Sequence, residues 1–244
     1  MSTDRTFGTW ETVPTSGYRD EITDLWHALA TQRVGTPEEV QHSGLTQRRV
    51  EWTMVCDLYR RTQPEIVLEI GTAQGGTFAG WCALGKKDAL LISIDRDLND
   101  CRPRKGDQVH PSIVDHEVTR MTCEGGGLYA LGRHNQRVVG LSGWSTDEHV
   151  LTKLRETLGG QKIDWLFHDA SHQPEKFAKD FAIYWPMVAD GGVFASHDIM
   201  PCKDPNSNKS TEWERIKAEE TYSAIFEFKG RRDDDSYGIG ILIK

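Results

Sequence analysis

Short apolar runs alternate with longer amphipathic segments along the chain from about residue 65 onward. The apolar runs are bounded by glycine or polar residues, and they predict five buried strands. These strands cover residues 65–71, 89–95, 136–143, 162–169 and 191–198. Between them, apolar side chains recur at helical spacing over residues 77–86, 146–160 and 174–188. This alternation predicts an α/β fold with a doubly wound, mainly parallel sheet and helices on both faces.

The C-terminal pattern is different. Two apolar runs, residues 223–229 and 237–244, flank the polar turn "GRRDDDS". They predict two strands that pair in antiparallel fashion at one side of the sheet. The run Asp233–Asp235 could hold a metal ion, but we interpret it as a solvated loop.

The N-terminal quarter of the chain has helical spacing and carries Trp10, Trp26 and Trp52. We interpret residues 1–64 as a helical arm or cap that forms oligomer contacts, and residues 65–244 as the main domain. Residues 96–135 form a long, polar, glycine-rich connection, which is typical of lids and substrate walls.

Composition narrows the class of protein and its partners. The 244 residues and the 37% apolar fraction fit a soluble α/β domain. The net charge of −8 argues against nucleic acid or an anionic membrane as the main partner. No apolar run reaches the roughly 18 residues of a membrane span, and the start of the chain lacks a signal-peptide pattern. The five cysteines show no CxxC spacing, so we expect neither disulfides nor thiolate zinc sites, and a cytoplasmic location.

A glycine-rich turn, "VLEIGTAQGG" at residues 67–76, follows the first main strand and opens a helix. Glycines there permit positive φ and close approach of a ligand. A Walker loop would end in GK[ST], and a dinucleotide fingerprint would have the spacing GxGxxG. The chain has neither pattern, and the glycine spacing therefore also disfavours an NAD-dependent oxidoreductase.

The turn and the end of the second strand resemble class I S-adenosylmethionine-dependent methyltransferases. "LEIGTAQGG" is similar to their first motif, and "SIDRD" is similar to the acidic end of their second strand. The resemblance implies a seven-stranded Rossmann-like sheet with an antiparallel C-terminal strand, and S-adenosyl-L-methionine as cofactor. It implies that Asp95 binds the ribose, although Asp95 could instead cap the next helical segment. The other implied cofactor-binding residues are Glu69, Gly71, Thr72, Gly75, Thr77, Ser142, Trp144 and Asp169.

Two clusters, "HDASH" at residues 168–172 and "SHD" at 196–198, each place histidine and aspartate after a strand. In the topology of that family the two strands are neighbours, about 4.8 Å apart. Asp169 and Asp198 would then converge beside the cofactor, with His172 one turn further along. A divalent cation held by carboxylates acidifies a bound hydroxyl, and a nearby histidine can take its proton. His168 is expected to face the other way and to have a packing role.

A narrower resemblance covers residues 45–244. The "DASH" and "HD" motifs resemble those of cephalosporin-hydroxylase-like proteins and the macrolide and deoxysugar O-methyltransferases of antibiotic pathways. The resemblance implies that Asp169 and Asp198 are metal ligands and that His172 is the general base. His197 stands where those enzymes have a glutamate. It either ligates the ion or stands aside, and as a ligand it would extend the choice from Mg2+ to Mn2+ or another borderline ion.

These observations predict an S-adenosylmethionine-dependent O-methyltransferase, metal-assisted, that methylates a hydroxyl of a sugar or other natural-product small molecule. One alternative is a catechol- or phenol-type O-methyltransferase. The other is a cofactor-binding homologue without transferase activity. We expect a homo-oligomer whose partner is a small-molecule hydroxyl acceptor.

Overall fold

The computed structural model describes residues 49–73, 75–96, 134–202, 208–229 and 238–244, with isolated positions at 22, 25, 33–34, 41–42, 47, 98 and 132. The predictions for Trp10, Trp26, Asp233–Asp235 and most of the 96–135 connection lie outside these residues. Among the described residues, no helix is long and apolar enough to cross a membrane.

A seven-stranded sheet forms the centre of the fold, in the order β5-β4-β3-β6-β7-β9-β8. All its neighbouring strands pair in parallel except β9, which runs antiparallel to both β7 and β8. The predicted fold class is therefore confirmed. A separate two-stranded antiparallel ladder, β1 and β2, lies within the segment predicted to be mainly helical. The strands are β1 (Arg33–Val34), β2 (Gln41–His42), β3 (Ile66–Ile70), β4 (Leu90–Asp95), β5 (Arg137–Ser142), β6 (Ile163–His168), β7 (Val188–His197), β8 (Ala224–Phe228) and β9 (Ile239–Ile243).

Five helices connect these strands in the described part of the chain: α1 (Arg49–Thr62), α2 (Gly76–Leu84), α3 (Glu148–Leu158), α4 (Pro174–Tyr184) and α5 (Ser210–Glu219). The helix predicted over 174–188 ends at Tyr184 and continues as a 3-10 turn, Trp185–Met187. Pro186 explains the early end, because proline lacks the N–H that an α-helix needs. The sequence patterns did not predict α5.

The sheet separates two apolar layers. On one face, α1 and α2 pack with buried side chains that include Trp52, Tyr59 and Trp81. The Trp81 ring centroid lies 5.0 Å from that of Trp52 and 4.9 Å from that of Tyr59. On the other face, α3, α4 and α5 cover residues such as Leu166 and Phe194. Helix α1, predicted as part of an arm, is therefore an integral layer of the core, while the predicted boundary at residue 64 stays a prediction.

Candidate active site

The glycine-rich turn between β3 and α2 passes directly against the end of β6. Gly71 has φ +89°, and a Cβ built on it would lie 2.1 Å from the carbonyl oxygen of Asp169. Gly75 has φ 85° and is the N-cap of α2. Because the turn lies so close to the backbone of Asp169, only glycine fits at position 71.

Asp95 ends β4, and its carboxylate lies under the same turn. Its Oδ2 accepts backbone N–H groups from Thr72, at 2.7 Å, and from Ala73, at 2.8 Å. The Thr72 hydroxyl shares a short hydrogen bond with the Ser93 hydroxyl. Asp95 thus holds the turn in shape, and its role toward a ribose stays a prediction.

Glu69, in β3, is fully buried below the turn. The indole Nε1 of Trp81 donates to its Oε2 at 2.7 Å. Burial raises the pKa of Glu69 well above its ordinary value. The structure therefore places this side chain in the core, where it supports the turn from beneath.

The end of β5 forms another wall. The Gly143 N–H donates to the Asp95 carbonyl at 2.9 Å, which holds the following loop beside β4. Ser142 is exposed there, and Trp144 has 52% of its surface exposed. Two cations lie by the Trp144 ring, with Arg96 Cζ at 5.5 Å and Lys176 Nζ at 5.3 Å from its centroid. Ser142 pairs with Asp95 in the sheet register, and the adenine-bordering role of Ser142 and Trp144 stays a prediction.

The two histidine–aspartate clusters form one site. His172 Nε2 lies 3.0 Å from Asp198 Oδ2, and one ligand atom each from Asp169, His172 and Asp198 lies within 4.8 Å of the others. The His172 side chain is 49% exposed, whereas that of Asp198 is 11% exposed. Asp198 has φ 59°, a left-handed conformation that is uncommon for residues other than glycine. The convergence of Asp169, Asp198 and His172 predicted from the sequence is therefore present.

His197 differs from the expected metal ligand. Its Nδ1 lies 3.2 Å from Asp169 Oδ1 and 3.4 Å from Asp198 Oδ2, and its side chain is buried. It does not belong to the group of residues whose ligand atoms converge. The alternation along β7 explains this position, because it turns His197 inward with Ala195, toward the α1 and α2 layer. In this structure His197 is a hydrogen-bond donor to the carboxylates.

Electrostatics keep the two carboxylates ionised. Burial opposes charge on His197, but the charge of Asp169 and hydrogen bonds to Asp169 and Asp198 raise the pKa of His197 to about 10. Burial alone would raise the pKa of Asp169, yet the charge and hydrogen bond of His197 bring it below its ordinary value. Burial is likewise outweighed at Asp198, whose pKa is lowered by hydrogen bonds from His172 and His197.

Sequence patterns missed Gln47, which reaches the site from the segment before α1. It is only 2% exposed. Its Nε2 donates to Asp169 Oδ2 at 2.6 Å, and its Oε1 accepts from the Thr77 hydroxyl at 3.0 Å. Gln47 therefore connects the carboxylate pair with the helix that follows the glycine-rich turn.

They also missed Asp180, a buried carboxylate of α4 on the opposite face of the sheet. Asp180 accepts from the Ser145 hydroxyl at 2.6 Å and from His168 Nε2 at 3.0 Å. The Tyr184 hydroxyl donates to the Ser145 carbonyl at 2.7 Å. His168 thus packs away from the carboxylate pair, as expected, while Asp180 ties β6 to the loop after β5.

Lys209 is the third missed residue. It is fully buried at the start of α5, and among the described residues its Nζ has no hydrogen-bond partner. The Nζ lies 5.1 Å from the Phe177 ring centroid. Burial lowers the pKa of Lys209, and the charges of Asp198, Asp169 and Asp180 oppose that effect. Its charge is thus placed where it favours the ionised carboxylates.

A divalent ion fits the donor set. Ligand atoms that surround one ion at about 2.0–2.6 Å must themselves lie within about 4–5 Å of one another. The atoms of Asp169, His172 and Asp198 satisfy this condition, since they lie within 4.8 Å. Two carboxylates suit Mg2+ or Mn2+, and an imidazole in the set extends the choice to softer ions.

The fold and the site together define a methyltransferase of the Rossmann-like class. A family model described as a methyltransferase domain matches residues 68–199, which is more than half of the chain. The chain belongs to this family and is a methyltransferase. The resemblance to class I S-adenosylmethionine-dependent methyltransferases is thereby confirmed.

Solved structures with the same fold are distant in sequence. An O-methyltransferase from Bacillus cereus in complex with SAH has a TM-score of 0.52 and 15% identity, and the match covers 96% of this chain and 94% of that chain. The O-methyltransferase TomG from Streptomyces achromogenes, involved in tomaymycin synthesis and solved with SAM, has a TM-score of 0.56 and 12% identity over 96% and 92% of the two chains. Cofactor-bound Rv0187 from MTB has a TM-score of 0.56 and 14% identity over 95% and 90%. At these identities the likeness supports the fold alone. A comparison with curated protein sequences found no match.

Proposed function

We propose that this methyltransferase transfers the methyl group of S-adenosylmethionine to a hydroxyl oxygen of a small molecule, with a divalent ion held by Asp169 and Asp198. One observation carries the proposal. A Cβ on Gly71 would lie 2.1 Å from the Asp169 carbonyl oxygen, so the glycine-rich turn passes directly against the backbone of one of the two aspartates. A cofactor seated on the turn would therefore present its sulfonium beside the carboxylates.

The cofactor residues have separate tasks in this proposal. Asp95 binds the ribose hydroxyls, and the turn from Gly71 to Gly75 admits the methionyl part. Ser142 and Trp144 border the adenine. Neighbours of the same fold that are solved with SAH or SAM support this choice of cofactor.

His172 is the proton acceptor in this proposal. Asp198 Oδ2 lies 3.0 Å from His172 Nε2, so the carboxylate accepts the Nε2–H and leaves the lone pair on Nδ1. With 49% of its side chain exposed, His172 can reach an acceptor hydroxyl. A divalent ion, when bound, would lower the pKa of that hydroxyl. His172 then removes the proton as the oxygen attacks the methyl carbon, and the thioether leaves as a neutral group.

The acceptor class in this proposal is a sugar or other natural-product hydroxyl. The closest competing activity is methylation of a phenol or catechol. Two neighbours of the same fold are O-methyltransferases by name, one of them involved in tomaymycin synthesis, which supports transfer to oxygen in a small molecule. We also propose that the chain acts as a homo-oligomer.

Calorimetric titration with S-adenosylhomocysteine, with and without Mg2+ or Mn2+, tests the cofactor part. The native chain should bind. Asp95→Ala should bind at least tenfold more weakly, because hydrogen bonds to a charged group contribute roughly 1.5–3 kcal/mol each. Asp88→Ala, a substitution of an aspartate with no assigned role, is the matched control. Equal affinity in the native and Asp95→Ala chains would remove Asp95 from the site.

Mass spectrometry of methyl transfer to a panel of sugar, alcohol and phenol acceptors tests the acceptor part. Addition of one methyl group to a sugar hydroxyl supports the proposal. Transfer to phenols alone selects the competing activity. Tight cofactor binding without transfer to any acceptor, in the presence of each ion, would indicate a binding protein.

A further inference from the structure

Gln47 bridges two parts of the site that lie far apart in sequence. Its Nε2–H donates to Asp169 Oδ2 at 2.6 Å across 122 positions of the chain, and its Oε1 accepts from the Thr77 hydroxyl at 3.0 Å. Thr77 is the second residue of α2, directly after the glycine-rich turn. One buried carboxamide thus joins the carboxylate pair to the helix on which the methionyl part of the cofactor would rest.

The direction of these hydrogen bonds is fixed by chemistry. An ionised carboxylate only accepts, so the nitrogen end of Gln47 must face Asp169. The oxygen end then faces Thr77, and the Thr77 hydroxyl must use its proton to bond it. Asp169 is held on its second oxygen by His197 Nδ1 at 3.2 Å. The carboxylate is therefore clamped from both sides, and the Thr77 oxygen keeps its lone pairs for another partner.

We propose that Gln47 is a positioning residue that fixes the Asp169 carboxylate and, through Thr77, couples cofactor binding to ion binding. This rests on the proposed function, because it takes Asp169 as an ion ligand and Thr77 as a neighbour of the cofactor. Ordering of Thr77 by the cofactor orders Gln47, and Gln47 in turn orders Asp169. Coupling of this kind is reciprocal, so each ligand changes the affinity for the other by the same factor.

The test measures Mn2+ affinity with and without S-adenosylhomocysteine, by calorimetry or electron paramagnetic resonance. In the native chain, the Mn2+ affinity measured with S-adenosylhomocysteine should differ severalfold from the Mn2+ affinity measured without it. Gln47→Leu has nearly the same shape but no hydrogen bonds, so it should weaken S-adenosylhomocysteine binding roughly tenfold, the effect of losing about 1.4 kcal/mol. It should also bring the ratio of the two Mn2+ affinities close to one. Thr77→Val should likewise weaken S-adenosylhomocysteine binding and bring the ratio of Mn2+ affinities close to one. Thr77→Ser should instead keep the native ratio.

Gln63→Leu is the matched control, since Gln63 is exposed and its Nε2 donates only to the nearby Arg60 carbonyl at 2.7 Å. It should leave both affinities unchanged. A purely structural Gln47 would lower the melting midpoint on substitution by leucine while both affinities and their ratio stay native. That result overturns the coupling.

A chain that binds no S-adenosylhomocysteine contradicts the proposed function, and Gln47 is then judged by unfolding. Gln47→Leu should lower the melting midpoint of the native chain clearly more than that of an Asp169→Ala chain. In the Asp169→Ala chain, the carboxylate to which Gln47 donates is already missing. Equal shifts in both backgrounds would show that Gln47 does not hold Asp169, and would overturn this part as well.

Discussion

Several residues of the site have left-handed backbone conformations, among them Gly71 with φ +89° and Asp198 with φ 59°. Glycine accepts this region without cost, but aspartate does not, and such strain persists where surrounding contacts enforce it. At Asp198 those contacts are His172, at 3.0 Å, and His197, at 3.4 Å. Asp198, a strained residue, therefore joins the two histidines of the site.

Gly71 is expected to tolerate no side chain. In Gly71→Ala the new Cβ would lie 2.1 Å from the Asp169 carbonyl oxygen, and both atoms belong to the backbone or are fixed to it. Denaturant unfolding should show a loss above about 3 kcal/mol, and S-adenosylhomocysteine binding should disappear. Gly159→Ala is the control, because Gly159 has φ +57° with nothing within 4 Å of the new Cβ. It should cost only about 1–2 kcal/mol and leave binding intact. Similar losses in both variants would contradict the close approach of turn and strand.

His172 is expected to act on the rate and not on the ion. His172→Ala should lower turnover roughly 10²–10⁴-fold, the usual range for loss of a general base. Mn2+ affinity, measured in the same preparation, separates the two roles open to this residue. Unchanged affinity supports a base, whereas a loss of more than tenfold would make His172 an ion ligand and leave the proton to another group.

At the scale of elements, the strands and helices that the apolar pattern predicted over residues 65–244 are present, because their apolar side chains pack in the core; of these described elements, only β8 has residues that are all half-buried. Helix α5 escaped prediction because only Ser210, Trp213 and Ile216 of its ten residues are buried, which leaves a weak apolar stripe. The convergence of Asp169 and Asp198 was predictable from the parallel topology. The roles of Gln47 and Asp180 were not predictable. The hydrogen bond of Gln47 spans 122 positions, and Asp180 bonds through a helix carboxylate, and neither leaves a local pattern in the sequence.

The pairing of α5 with β8 predicts how stability depends on acid. Burial opposes charge on Glu227, but hydrogen bonds from Lys217, Lys229 and Trp213 lower the pKa of Glu227 to about 2. A folded pKa below the unfolded value of about 4.5 stabilises the fold above pH 4.5, and this stabilisation is lost as pH falls from 4.5 through 2. Since the group is partly exposed, we expect a contribution of about 1–2 kcal/mol.

Unfolding of Glu227→Gln measured from pH 7 to 3 tests this expectation. The difference in unfolding free energy from the native chain should be full at pH 7 and should shrink as the pH falls below about 4.5. Glu214→Gln is the control, because Glu214 pairs with the same Lys217 but 60% of its side chain is exposed. It should change stability by less than about 0.5 kcal/mol. A difference for Glu227→Gln that does not vary with pH would contradict the depressed pKa.

At the scale of the whole molecule, the site lies where the strand order reverses. The chain builds β3, β4 and β5 outward in one direction and then adds β6 and β7 on the other side of β3. Ligands of open α/β sheets bind outside the carboxyl ends of strands at such a point. One half therefore contributes the glycine-rich turn and Asp95, and the other contributes Asp169, His172 and Asp198. Neither half holds a complete site.

The proposed homo-oligomer is the remaining prediction at this scale. Of the three N-terminal tryptophans, Trp52 is fully buried and packs against Trp81 with tilted rings, so it belongs to the core of one chain. Contacts between copies must then come from the segment with Trp10 and Trp26, or from another surface. Light scattering should give a multiple of the 27.6 kDa chain mass, and a double substitution, Trp10→Ala with Trp26→Ala, should lower it. A native mass near 27.6 kDa at working concentration would show that the single chain carries the whole site.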